Sequence, residues 1–184
     1  MTGSASAFGT ARALREAFDR SFAAAVQPAS ETFEDLLAIR VAGEPYAIRS
    51  AQIAGLFADR KVVGLPSPVP ELLGIVGFRG SLSPVYDLAA LLGYPPGGAG
   101  RWILLAGKIE PVGLAFGELV GHVRTSGGEV VGQDEAQATR RHTQGLIRVG
   151  DVLHPVINLA SVVEAIKQRV RSESPTQGAI IHEP

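Results

Sequence analysis

The sequence predicts a mostly β protein, built as a barrel or a sandwich. About ten short apolar runs alternate with turn-forming residues from Phe33 onward, the pattern of many short strands. Few intervening stretches could hold a crossover helix, which disfavours a parallel α/β sheet. Two sets of motifs also recur in the same order, which indicates two related β units. With 184 residues, of which 46% are hydrophobic, the chain can bury a core without disulfides or structural metals.

Composition excludes several classes of protein. The chain has no cysteine, so disulfides and thiolate metal sites are excluded, and a reducing cytoplasm fits. A formal charge of −1 gives no overall field that would attract nucleic acid or anionic lipid. No apolar run approaches the roughly 20 residues of a membrane helix, and residues 1–30 lack a signal-peptide core. We therefore expect a cytoplasmic protein without a nucleic-acid partner and without direct membrane insertion.

The first predicted element is an amphipathic helix within an N-terminal extension, residues 1–30. Apolar residues recur at helical spacing on one face: Ala11, Leu14, Phe18, Phe22 and Ala25. The helix either packs on its own domain or detaches to bind a partner. In the second case Phe18 and Phe22 are the expected contacts.

An internal repeat divides the predicted main domain, residues 31–171, into two halves. Residues 42–48 resemble residues 106–114, and residues 84–89 resemble residues 155–160. These matches predict one β unit at about 36–92 and a second at about 102–160. A connector rich in glycine and proline, residues 93–100, separates the two units.

Three further segments lie within or after the second unit. Residues 125–145 are polar and glycine-rich, and a loop of that length is expected to be mobile or functional. A final helix is predicted at about 160–171, and residues 172–184 have the composition of a disordered tail.

Prolines and helix caps occupy equivalent places in the two halves. Pro84 and Pro155 cannot donate to a β-ladder, so each is expected at an edge, a strand start or a bulge. Asp87 and Asn158 follow three residues later, where each can cap a helix. We interpret Asp87 as a cap rather than as a catalytic acid.

The usual signatures of catalysis are missing from the sequence. The four histidines form no close pair that would begin a metal site. Neither a G-x-S-x-G elbow nor a phosphate-binding loop occurs. We therefore expect no enzyme activity, no cofactor and no metal.

One segment has an unusual pattern, in which an apolar strand enters Arg79-Gly80 and a second strand returns through Pro84. Arg79 carries a permanent charge on a planar fork, placed at a predicted hairpin tip. That placement suits the recognition of a carboxylate or of backbone carbonyls on a partner.

Residues 71–88 closely resemble the CheW-like domain, the coupling module of bacterial chemotaxis. The shared pattern is a Leu-Gly strand, an Arg-Gly turn, and a Pro-Val-x-Asp-Leu strand and helix, and the resemblance extends over about residues 33–166. It implies two intertwined five-stranded SH3-like β-barrels. It also implies a non-enzymatic adaptor that joins the regulatory domain of a CheA-type histidine kinase to the cytoplasmic tip of chemoreceptors. Such an adaptor has no cofactor and is recruited to membrane-associated receptor arrays.

The resemblance assigns the partner-binding surface to the hairpin tip, which comprises Gly77, Phe78, Arg79 and Gly80. The chain departs from the family at two polar positions. Gly77 stands where the family usually has Asn, and Gly55 stands where it usually has Glu. Two other functions therefore remain open: a diverged scaffold of another signalling array that does not contact the kinase, and a small-ligand-binding β-barrel.

Overall fold

The computed structural model describes residues 33–78, 80–98, 100–107, 110–126 and 141–173. Several predicted features lie outside these ranges. They are the N-terminal helix with Phe18 and Phe22, Arg79, most of the segment 125–145, and residues 174–184.

The described residues form ten strands and two α-helices. The strands are β1 (Phe33–Val41), β2 (Glu44–Arg49), β3 (Ile53–Ala58), β4 (Leu72–Phe78), β5 (Ser81–Asp87), β6 (Trp102–Ala106), β7 (Val112–Phe116), β8 (Glu118–Ser126), β9 (Thr143–Val149) and β10 (Val152–Ile157). The helices are α1 (Leu88–Leu91) and α2 (Leu159–Glu173), and a 3-10 turn spans Ser50–Gln52. The mostly β fold class is confirmed.

The strands form two five-stranded sheets, which we call sheet A and sheet B. Sheet A has the order β8-β1-β2-β10-β9, and sheet B has the order β3-β6-β7-β5-β4. Each sheet therefore takes strands from both halves of the chain, as intertwined units require. Within the described residues each ladder is open, with β8 and β9 at the edges of sheet A and β3 and β4 at the edges of sheet B.

The two sheets have the same strand arrangement, and each half of the chain contributes a hairpin to the sheet of the other half. Replacing β1 by β6, β2 by β7, β3 by β8, β4 by β9 and β5 by β10 converts one strand order into the other. The parallel pairs agree residue by residue, since Val85 lies opposite Gly113 as Val156 lies opposite Ala47. The repeat read from the sequence thus has a structural counterpart in register as well as in order.

Three apolar clusters hold the sheets together. The largest lies between the sheets and includes Ile48, Leu114 and Ile157, with Leu88 from α1 and Ile166 from α2. A smaller cluster fills the concave side of each sheet. In sheet B it contains Val76, Phe78, Val85, Ile103, Leu105 and Ala115. In sheet A it contains Leu36, Ala47, Ile147 and Val156.

Sheet B curls as an SH3-like sheet does, because its two edge strands approach each other. Phe57 of β3 and Phe78 of β4 have ring centroids 4.6 Å apart, tilted by 40°. The contact brings together the ends of a sheet whose hydrogen-bonded ladder is not closed.

The predicted cap positions are confirmed, whereas both prolines lie inside inner strands, at points where only one neighbouring strand is paired. Pro84 and Pro155 each lie one residue before their strand begins to pair with its parallel neighbour. The backbone N–H that proline lacks therefore falls at a point where no parallel strand is there to accept it. Asp87 accepts a hydrogen bond from the Ala89 N–H, and Asn158 accepts one from the Ser161 N–H.

Two local sequence predictions need correction. Residues 61–63 form one of the short apolar runs counted above as expected strands, but they are not a strand, because Val63 makes only an isolated bridge to Ile75 at the edge of β4. The final helix continues to Glu173, two residues beyond its predicted end. Burial of Val162 and Ile166 holds its inner face against the core.

Candidate partner-binding site

The candidate site is the tip of the β4–β5 hairpin. Phe78 lies opposite Ser81, so only Arg79 and Gly80 connect the two strands. Gly80 has φ +86°, a left-handed conformation that favours glycine, and it is exposed. Arg79 lies outside the described residues, so its exposure at this tip stays a prediction.

Phe78 faces the core rather than the solvent. Its side chain is 6% exposed and belongs to the concave cluster of sheet B. It packs there against the ring of Phe57. Although the resemblance assigned Phe78 to the binding surface, its side chain anchors the turn from inside and leaves little area for direct contact.

Gly77 lies on the opposite face of β4 from Phe78 and is exposed. A Cβ placed at Gly77 would meet no other atom within 4 Å, so a larger side chain is not excluded by space. Across the hairpin lies Leu82, whose side chain is 73% exposed. The outer face of the tip is therefore apolar and open, with no polar group at Gly77.

Position 55, on β3, carries glycine for a steric reason. A Cβ at Gly55 would lie 2.8 Å from the Cε2 atom of Phe57, closer than side-chain carbons approach. The Phe57 ring thus occupies the space that a glutamate at this position would need. The guanidinium of Arg60 stands 5.4 Å from the centre of that ring, within the range of a cation–π contact. Position 55, where the resemblance implies an acid, therefore carries no side chain and lies against the Phe57 ring.

Acid–base or metal chemistry has little support within the described residues. No group of three or more His, Asp or Glu side chains there could hold a metal ion. Burial raises the pKa of Tyr86 on β5 above its ordinary value of 10.0, which moves this hydroxyl further from the range of a general base at neutral pH. The Asp87 carboxylate, 3% exposed, accepts from the backbone N–H groups of Ala89 and Gly97. Asp87 is therefore a structural cap, as the sequence predicted.

Sequence reasoning missed two residues at this site, Phe57 and Leu82. The alternation of side chains along a strand could have indicated which face each residue occupies, since successive residues of a strand face opposite sides of the sheet. Phe78 shares its face with the buried Val76, whereas Leu82 lies opposite the exposed Gly77. The contact between Phe57 and Phe78 could not be read locally, because it depends on the curl of the sheet.

Neither described helix is long and apolar enough to cross a bilayer.

Comparison with known proteins gives one family and one fold. The family model described as "CheW-like domain" matches residues 35–168. Among solved structures, the chain is similar to the scaffolding protein TtCheW from Thermoanaerobacter tengcongensis, with a TM-score of 0.60 and 17% sequence identity. The match covers 67% of this chain and 88% of that chain, and at this identity it concerns the fold alone. No curated protein matches the sequence significantly.

Proposed function

The chain belongs to the CheW-like domain family, and from that premise we propose that it couples chemoreceptors to a CheA-type histidine kinase. Family membership supports a scaffold or adaptor role in chemotaxis signalling. The finer assignment names two partners, the regulatory domain of the kinase and the cytoplasmic tip of the receptors. Binding to receptors would recruit the protein from the cytoplasm to membrane-associated arrays.

The observation that carries this proposal is the open tip of the β4–β5 hairpin. Gly77 and Gly80 leave free space on either side of position 79, and Leu82 presents an exposed apolar side chain beside it. A cation next to an apolar patch suits a protein partner, because the patch contributes burial and the charge contributes orientation. The packing of Phe78 in the buried cluster of sheet B fixes the end of β4, the residue directly before Arg79 in the sequence.

An adaptor of this kind acts through binding energy alone. It transmits a signal only if its contacts with receptor and kinase differ between the active and inactive states of the kinase. Arg79 is proposed as the residue that makes a charge-dependent contact with a carboxylate or a backbone carbonyl of one partner.

The test is charge reversal at the tip. Arg79→Glu and Arg79→Ala are compared with Arg124→Glu, which makes the same reversal at an exposed position on β8 of sheet A. We expect Arg79→Glu to weaken binding to a partner fragment more than Arg79→Ala, because reversal adds repulsion to the lost contact. Melting temperatures should change little, since substitutions at exposed turns usually alter stability by under about 0.5 kcal/mol.

Binding is measured separately against the kinase regulatory domain and against receptor cytoplasmic fragments. Unchanged affinity of Arg79→Glu for both partners would contradict the site assignment. A large loss of melting temperature would instead give Arg79 a structural role.

The geometry at Gly55 supports one alternative, a scaffold that does not contact the kinase. The Phe57 ring takes the place of the acid that the family usually carries there. This alternative predicts that the wild-type chain binds receptor fragments but fails to bind any cognate kinase regulatory domain.

A further inference from the structure

A groove of about 650 Å³ lies between β5, the connection from β6 to β7, and the last turns of α2. Side chains at alternate positions of a strand share one face, so Leu82, Pro84 and Tyr86 of β5 form one wall of the groove. Residues four apart on a helix also share a face, and Ile166 and Val170 of α2 form another wall. Leu82 is 73% exposed and Val170 is 44% exposed, so the groove offers apolar surface that is open to solvent.

The groove also contains a polar group that the protein leaves without a partner. Tyr86 is 4% exposed, yet its hydroxyl makes no hydrogen bond within the part of the chain that the structure describes. In that part, the side-chain atoms that are fully buried without a partner belong to Ser50, Gln52 and Glu71, so the Tyr86 hydroxyl is reached from the groove that this residue lines. Because buried tyrosine hydroxyls usually have a partner, this hydroxyl indicates an acceptor that an occupant supplies.

Two ion pairs hold the helical wall of the groove in place. Lys167 lies 3.9 Å from the Glu110 carboxylate, which belongs to the β6–β7 connection. Arg169 pairs with the Glu71 carboxylate, which precedes β4. Because these two residues of α2 bind separate segments of the fold, the groove is preformed and does not depend on an occupant.

The charges that line the groove favour an anionic occupant. Lys167 and Glu110 both line it, and they offset each other as a pair. Arg171 also lines the groove, and none of the carboxylates that the structure describes forms an ion pair with it. Because a guanidinium binds a carboxylate through two parallel hydrogen bonds, Arg171 is suited to hold a carboxylate at the rim.

The size of the groove suits a small molecule better than a protein helix. Its volume of about 650 Å³ lies within the roughly 300–1,000 Å³ that is typical of small-molecule sites. A helix about 10 Å across occupies roughly 400 Å³ per turn, so the groove has room for fewer than about two turns. A helix that docks in a groove uses apolar anchors spread over about two turns or more. The observations therefore favour a small ligand with an apolar body, a carboxylate and a second hydrogen-bond acceptor.

We propose that this groove binds a small amphipathic carboxylate. The apolar body of the ligand lies between Leu82 and Val170, its carboxylate pairs with Arg171, and its second acceptor receives a hydrogen bond from the Tyr86 hydroxyl. Leu82 also belongs to the outer face of the hairpin tip, so a bound ligand changes the apolar surface that the tip presents. This inference goes beyond the adaptor function and does not depend on it.

The test uses N-octanoylglycine, which has an alkyl chain, an amide carbonyl and a carboxylate. This probe is titrated into the isotope-labelled full-length chain, and the amide signals of Leu82, Val112 and Val170 are followed by NMR. We expect saturable shifts at these three residues, which line the groove, and none at Leu153, which occupies the position on β10 equivalent to Leu82. The uncharged N-octanoylglycinamide should bind roughly tenfold more weakly, because it cannot form the charge-assisted pair with Arg171.

Two variants assign the polar contacts. Arg171→Gln should remove the preference for the carboxylate over the amide, whereas Arg148→Gln, at an exposed position on β9, should keep it. Tyr86→Phe keeps the ring and should weaken the binding of both probes roughly fivefold, since both carry the carbonyl acceptor.

An unchanged preference in Arg171→Gln or an unchanged affinity in Tyr86→Phe overturns the proposal. Equal shifts at Leu153 also overturn it, because the probe then binds any exposed apolar side chain. The absence of saturable shifts leaves the groove to a macromolecular partner and overturns the small-ligand assignment. Shifts that appear on concentrating the chain without probe overturn it as well, because the occupant is then a second copy.

Discussion

Replacing Phe78 by alanine should destabilise the fold strongly, although the residue adjoins an exposed turn. A buried aromatic side chain removes roughly 150–250 Å² from water, which is worth about 4–6 kcal/mol at 25 cal/mol per Å². Phe78 is only 6% exposed and packs on Phe57, so nearly all of its side-chain area is buried in the folded state. Alanine keeps part of it, and the expected loss is about 3–5 kcal/mol, as in other core truncations.

Thermal melts followed by circular dichroism measure this loss. In a domain of this size each kcal/mol lowers Tm by roughly 2–4 °C, so Phe78→Ala should melt roughly 6–20 °C below the wild type. Leu82→Ala is the control, because its side chain is 73% exposed and its loss should stay under about 0.5 kcal/mol. Equal and small shifts for the two variants would refute the reasoning that Phe78 anchors the turn from inside.

The remaining predictions concern the backbone, a helix cap and pH. Gly74→Ala should prevent Val63 from bridging β4, because a Cβ at Gly74 would lie 2.0 Å from the Val63 carbonyl oxygen; faster amide exchange in β4 and a lower Tm would show it. Asp87→Ala removes the acceptor of two backbone N–H groups and should cost about 1–3 kcal/mol in urea unfolding, with an unchanged midpoint contradicting the cap. Burial lowers the pKa of His142, and the neighbouring Arg141 lowers it further, so the fold favours the neutral ring. The contribution of His142 to the free energy of unfolding is complete above pH 6.5 and declines as the pH falls toward the lowered pKa. Asparagine tolerates the same positive φ, so His142→Asn should flatten this part of the curve of stability against pH. An unaltered curve would contradict this.

The fold was predictable where local chemistry determines it. Asp87 and Asn158 marked the helix starts, and Pro84 and Pro155 marked points where a strand lacks one neighbour, although the parallel pairing that follows each proline was not predicted. The exchange of hairpins between the two sheets followed only from the family resemblance. Nothing local in β1 indicates that it pairs with β8, because that choice depends on packing between segments far apart in sequence. The strand wrongly expected at residues 61–63 also depended on pairing with a distant segment, and those residues form only one bridge.

The turn that carries the candidate site was predictable in position, but the packing around it was not. The Arg-Gly pattern located the turn between β4 and β5, and the positive φ of Gly80 explains why glycine stands there. The burial of Phe78 and the steric reason for Gly55 both depend on Phe57, which lies on the far edge strand of the sheet. Such a contact is set by sheet curvature, which short sequence motifs do not encode.

The hairpin exchange also imposes a delay on the growing chain. The β1–β2 hairpin leaves the ribosome well before β8, which forms its outer neighbour in sheet A. At about 5–20 residues per second, the end of β1 and the start of β8 emerge roughly 4–15 s apart. During that interval β1 presents an unpaired edge, and Ile39 and Val41 lack much of the core that later covers them. Sheet B cannot be completed before β7 has been synthesised, and sheet A cannot be completed before β10, so the duplication that looks like two domains must mature as one.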